Sequence, residues 1–220
     1  MRWSTLRVRR SAPGKNARLA AGVRAIYRRL DRKLTAFRRR SGLACLPGCG
    51  ECCRSTEVEA TVLELLPLAL ELCRRGKAEE ILDRLHGSEE PERCLLFSER
   101  PLGRSGGHCT AYSRRPLLCR LFGFSSMENR EGRPELVACR LVRAADPGLT
   151  EEAAIRAAQG RPAAPLMRDC SMAVYRLDPV LGSGALPVNV ALRQALERVA
   201  LASRLRGKSS TPISGAARLH

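Results

Sequence analysis

Cys45, Cys49, Cys52 and Cys53 stand within nine residues, in the run CLPGCGECC. Free cysteine is a common core filler, but a filler does not call for the turn that Pro47-Gly48 and Gly50 force around these four. A tight loop lets neighbouring thiolates converge on one ion while its amides face the sulfurs, and zinc takes four such ligands in a tetrahedron. Four more thiols follow at wide intervals, at Cys94, Cys109, Cys119 and Cys139. A metal joining local to distant ligands would organise a small domain by tying remote segments together. Eight thiols suit two four-thiolate zinc sites, or one iron–sulfur cluster with one structural zinc. Side chains of adjacent residues diverge. Cys52 and Cys53 are therefore expected either to serve different sites or to leave one of the pair outside the ligand shell.

The other candidates for chemistry are weaker. Cys73 sits in an apolar stretch and reads as a core residue; Cys170 is left open. His108 beside Cys109 is expected to be a turn residue. Glu57, Glu59 and Glu64 follow the loop, where hard carboxylates could complete an iron site, but a helix should begin there and acids favour a helix N-terminus, the preferred reading. Histidine occurs only at positions 86, 108 and 220. A His-based catalytic centre is not expected, and no catalytic residue is identified.

The elements that must hold these thiols read as mainly α. Leu19, Val23, Ile26, Tyr27, Leu30, Leu34 and Phe37 recur in steps of three and four, which predicts an amphipathic helix from Lys15 to about Arg40, stopped by Gly42. Thr56 with Glu59 suggests a capping box, opening a helix to Leu66 that Pro67 should break or kink. Further helices are expected over 68–75, 78–85, 150–159, 165–176 and 187–205, with one or two helical turns at 116–122. Cys94–Phe97 could pair with His108–Thr110 in one small hairpin, and Glu135–Leu141 is a strand or a turn. The organisation expected is a basic arm (1–14), the N-terminal helix (15–44), a cysteine-cluster domain (45–145), a helical region (146–206) and a tail (207–220). The fold class is mainly α with a minimal β-hairpin, a small domain organised by metal.

Ten cysteines without a secretory signal argue for reduced thiols and a cytoplasmic setting rather than a disulfide scaffold. The basic start of the chain has no apolar run behind it, and no segment reaches the length of a membrane span. The net charge is +17, carried by 35 Arg and 4 Lys. The Arg excess, with abundant Ala, Leu and Gly, looks like the residue usage of a GC-rich genome. Residues 1–40 hold 14 of the basic residues and one acid, Asp31, while the rest of the chain is nearly neutral. Nucleic acid is thus a conceivable partner of the N-terminal helix, but a solvated basic face is the favoured reading, since Trp3, Tyr27 and Phe37 are too sparse to stack bases.

CLPGCGECC, the CLLF segment at Cys94 and HCTAYSRRPLLCRLFGF together resemble the YkgJ-type cysteine-cluster family, a zinc- or iron-chelating domain. Its second motif falls here on Tyr112, Arg115, Pro116, Cys119, Arg120 and Phe122. The resemblance spans about Cys45–Cys139 and implies that Cys45, Cys49, Cys52, Cys53, Cys94, Cys109, Cys119 and Cys139 bind zinc or iron, a [4Fe-4S] cluster being one form. Tyr112, Arg115 and Arg120 are expected to serve the bound group, Arg115 by donating hydrogen bonds to sulfur in preference to gripping an anion. The expected function is metal binding. Two alternatives are an iron–sulfur enzyme, redox or methyl-transferring, by similarity to flagellin lysine N-methylase, and a structural zinc module with a basic nucleic-acid-binding arm. The Cys45–Cys49–Cys52 spacing equals that of the radical S-adenosylmethionine loop, but those enzymes need a barrel of alternating strands and helices that this pattern does not offer.

Overall fold

A computed structural model describes residues 14–46, 49–86, 93–100, 107–161 and 163–208. Nearly all of the expected arm and tail, and the Pro47-Gly48 turn, lie outside the described residues. Helix α1 (Lys15–Ser41) follows its apolar period to within a residue of expectation. Gly42 ends it at φ 74, the left-handed conformation that costs glycine nothing, and donates its N–H to the Arg38 carbonyl at 3.0 Å.

The centre of the molecule is α3 (Val62–Arg74). Leu63, Leu65, Leu66, Leu68, Ala69 and Leu72 are all buried, too many for one face. A helix apolar all round needs cover on more than one side, and α1 and α10 (Val188–Lys208) supply it. Pro67 lies inside α3 without ending it, so of the break or kink expected there the break is corrected. Proline in a helix interior costs about 3 kcal/mol. Each buried leucine contributes about 1.5–3 kcal/mol, so the packing of α3 outweighs that one lost bond.

The capping box also sits elsewhere than expected. Thr61, not Thr56, opens α3: its hydroxyl accepts the Glu64 N–H, and the Glu64 carboxylate accepts the Thr61 N–H in return. Thr56 lies in a turn before β1 (Glu59–Ala60), which pairs antiparallel with β6 (Leu186–Pro187). The Val188 N–H then bonds the Val58 carbonyl at 2.9 Å, so α3 and α10 start from one edge.

The cysteine-bearing elements lie along this helical core. They are the single turn α2 (Glu51–Arg54), the hairpin of β2 (Phe97–Ser98) and β3 (His108–Cys109), a 3-10 turn at Tyr112–Arg114, and α5 (Leu117–Leu121). A second hairpin, β4 (Ser125–Glu128) with β5 (Pro134–Val137), leads into α6 (Arg140–Ala145). Short helices complete the core: α4 (Ala78–His86), α7 (Pro147–Ala158), α8 (Met167–Tyr175) and α9 (Pro179–Gly182). Helix α7 begins before the expected Thr150, because the Asp146 carboxylate caps it by accepting the Leu149 N–H. The fold is mainly α with three two-stranded antiparallel sheets among the described residues, where one hairpin was expected. No helix among them is long and apolar enough to cross a membrane.

Candidate metal centre

By their influence on one another's proton affinity, the eight thiols divide mainly into two groups of four. Cys45, Cys49, Cys52 and Cys139 form the first. The Cys45 and Cys49 thiols hydrogen-bond, Cys139 is within electrostatic reach of Cys45, and Cys52 is within reach of all three. The loop is folded by its own backbone: the Cys49 N–H donates to the Leu46 carbonyl at 3.0 Å and the Cys53 N–H to Gly50 at 2.9 Å. Cys139 arrives from the far side as the N-cap of α6. It can approach because position 123 is glycine. A Cβ there would stand 3.0 Å from the Cys139 Cβ, and the backbone is at φ +84.

Cys53, Cys94, Cys109 and Cys119 form the second group. The Cys53 thiol hydrogen-bonds those of both Cys94 and Cys109, and Cys119 is within electrostatic reach of Cys53 and Cys109. Cys52 and Cys53 separate because successive helical residues turn by about 100° and α2 is helical. The β2–β3 hairpin sets Cys109 opposite Phe97, and the Cys94 N–H donates to the Cys53 carbonyl at 3.0 Å. Two amides face sulfur: that of Leu96 toward Cys94 and that of Ala111 toward Cys109. The sequence had suggested such amides in the first loop. The Phe97 ring closes the hairpin onto that loop so tightly that a Cβ on Gly50 would meet it at 2.3 Å.

Proton affinities show what this crowding does. Burial, then the neighbouring Cys45, Cys139 and Cys49, push Cys52 up to about 11. Burial and then Cys49 raise Cys45. Burial, then Cys53 and Cys52, push Cys119 up to about 12. The bond from Cys109 lowers Cys53, but the bond from Cys94, burial and the adjacent thiols outweigh it and bring it to about 12. Cys109 is raised by its bond with Cys53 and by burial. Cys94 alone is lowered, by its bond with Cys53 against the opposing effect of burial, with help from the Leu96 amide. Thiols this close cannot ionise together unless a cation joins them. Two arginines offset part of the cost. Arg115 favours the thiolates of Cys52, Cys109 and Cys119, and Arg38 that of Cys45.

The second motif surrounds these thiols. Arg115 lays its guanidinium over the Tyr112 ring, 3.6 Å from the ring centre, and donates from Nε to the Tyr112 carbonyl at 3.1 Å. Tyr112 itself is exposed. Arg120 is buried and turned to protein acceptors. Nε donates to the Arg115 carbonyl at 2.8 Å, Nη2 to Ser113 at 2.7 Å, and Nη1 to both oxygens of Asp31 on α1 at 2.8 Å. It therefore holds the turn that leads into α5, and with it Cys119, against α1.

Glu64, weighed in the sequence as a carboxylate near the loop, is a buried junction. It accepts from Leu117 N–H at 2.6 Å and Tyr27 O–H at 3.3 Å besides Thr61. Glu57 and Glu59 are exposed. Cys73 is raised by burial alone and Cys170 chiefly so, apart from both groups. His108 Nδ1 is paired with the Arg100 carbonyl at 3.1 Å. Sequence reasoning missed Arg38 and Asp31. Arg38 is one of many arginines on α1 and nothing local distinguishes it, whereas Asp31 stood out as the one acid of residues 1–40 but was read only as charge.

Among the described residues, no three or more His, Cys, Asp and Glu side chains are already drawn into a shell that could hold an ion. The donor set nonetheless fits a thiolate-bound metal in kind and number. It comprises eight soft donors free of disulfides, gathered in fours, whose mutual repulsion as thiolates a divalent cation would relieve. Beside the second group lies a cavity of about 20 Å3, lined by Cys53, Cys94, Cys109 and Cys119 and also by Cys52, with Arg115, a space for an ion or a water rather than a substrate. No curated protein and no solved structure matches the chain. Residues 44–140, which hold all eight thiols and the second motif, match the CxxCxxCC family, described as "Putative zinc- or iron-chelating domain".

Proposed function

We propose that the protein binds zinc or iron in two neighbouring four-thiolate centres, one of Cys45, Cys49, Cys52 and Cys139 and the other of Cys53, Cys94, Cys109 and Cys119. The observation that carries this reading is the gathering of the eight thiols into fours, with Cys52 and Cys53 assigned to different groups. A bound ion supplies the charge that lets the thiols of one group ionise together. The chain's own residues do the rest. The amides of Leu96 and Ala111 stabilise thiolates at Cys94 and Cys109, Arg115 and Arg38 contribute positive charge, and Arg120 positions the turn before Cys119.

Metal content by mass spectrometry, with sulfide assay and an absorption spectrum, on protein purified without oxygen tests this reading. About two zinc ions per chain and a colourless solution would mark two mononuclear centres. Iron with inorganic sulfide and visible absorption would mark a cluster in at least one. Reduced protein that binds neither metal would refute it.

A further inference from the structure

We propose that the solvent face of α1 docks on the phosphate backbone of a nucleic-acid duplex. Arg28, Arg29, Arg32, Lys33, Arg39 and Arg40 are all exposed on this helix, on the side opposite the buried stripe of Val23, Tyr27, Leu30 and Leu34. Among the described residues none of the six pairs with an acid. Asp31 is the one acid of α1, and its charge is taken by Arg120. Genome-wide arginine usage does not account for this. It would enrich arginine along the whole chain, yet 21 of the 22 acids lie after residue 40. The acids have been kept off one helix, not merely diluted.

The uncharged positions choose among anionic partners. Thr35 and Ala36 are the exposed uncharged residues between the cations, small enough to let a backbone come close. None of the exposed large apolar residues lies on α1, so the face lacks the side chains that anchor an interfacial helix in a bilayer. It also lacks exposed aromatics to stack unpaired bases. What remains is charge spread over about 18 Å of helix, roughly half a turn of a duplex. Recognition of that kind is electrostatic and indifferent to sequence. It does not depend on the metal reading.

The test uses the full chain, with fluorescein-labelled 20-base-pair DNA and RNA duplexes followed by anisotropy. Binding should weaken about 10³-fold between 50 and 200 mM salt if some six phosphates are engaged. The triple variant R28E/R32E/R39E, which alters one line of the exposed face, should abolish binding at 200 mM. R28Q/R32Q/R39Q, which asks less of the fold, should lower the logarithmic salt slope by about 2.7 with an unchanged helical circular dichroism spectrum. Absence of duplex binding at 50 mM salt would overturn the proposal. So would wild-type binding by the well-folded Gln variant, or association with phosphatidylserine vesicles in place of the duplexes.

Discussion

The thiols of Cys52 and Cys53, adjacent in the chain, belong to different neighbourhoods: Cys52 lies with Cys45, Cys49 and Cys139, whereas Cys53 bonds Cys94 and Cys109. The one-turn helix α2 is thus a divider. It also brings the two groups close enough for Cys52 and Cys119 to feel one another, with Arg115 facing both. A change at α2 should therefore reach both groups, while changes at Cys139 or Cys94 should stay local.

Gly123→Ala isolates the first group. The substitution sets a Cβ 3.0 Å from that of Cys139 at φ +84, a conformation costing an L-residue about 1–2 kcal/mol. The variant should fold, bind about half the metal of the parent and keep the second centre. Metal content against circular dichroism checks this; full metal content would show that Cys139 is not a ligand.

Glu64 unites three elements. Glu64→Ala strands the Leu117 N–H and Tyr27 O–H and removes the carboxylate half of the α3 capping box. Hydrogen bonds to a charged group contribute about 1.5–3 kcal/mol, so a loss on the order of 3 kcal/mol is expected in urea unfolding. Glu64→Gln keeps the shape and should lose less.

Arg120→Lys tests the clamp. A lysine cannot serve Asp31 and the carbonyls of Ser113 and Arg115 together, as the guanidinium does. The expected cost is about 2 kcal/mol, a fall in Tm of about 4–8 °C. Asp31→Asn should cost less, since Asp31 is half exposed and exposed ion pairs contribute little.

The pH dependence should change sign with metal. In metal-free protein the thiols of Cys52, Cys53 and Cys119 hold their protons more tightly than the ordinary value of 9.0. Stability from these groups is complete below about pH 9 and is lost as pH rises through about 11 to 12. In metal-loaded protein the ligands are thiolates, and protons compete with the ion, so stability falls as pH drops. Chemical unfolding of the two forms across pH should show opposite slopes, and parallel profiles would contradict the assignment.

Much of the scaffold was legible because its causes are local. The seven apolar positions of α1 fix its face, and Gly42 its end. The β2–β3 hairpin and α5 were readable from short apolar runs between turn residues. Other features have distant causes. Thr56-Glu59 and Thr61-Glu64 carry the same capping spacing, but Glu59–Ala60 pairs with Leu186–Pro187, more than a hundred residues on, and only the second box can open a helix. Pro67 reads as a break unless α1 and α10 are known to cover α3. At the site, the sequence offered the eight cysteines as candidates and the expectation that adjacent ones diverge. Which thiols meet depends on the turn of α2 and on where Cys139 returns, and spacing encodes neither.

The central claim is that the thiols form two separable centres. Metal content should be measured on Cys139→Ser, Cys94→Ser and the double variant, each purified reduced and without oxygen. Each single variant is expected to keep one centre and the double variant none. If either single change empties the protein, or if neither removes any metal, the division into two centres is wrong.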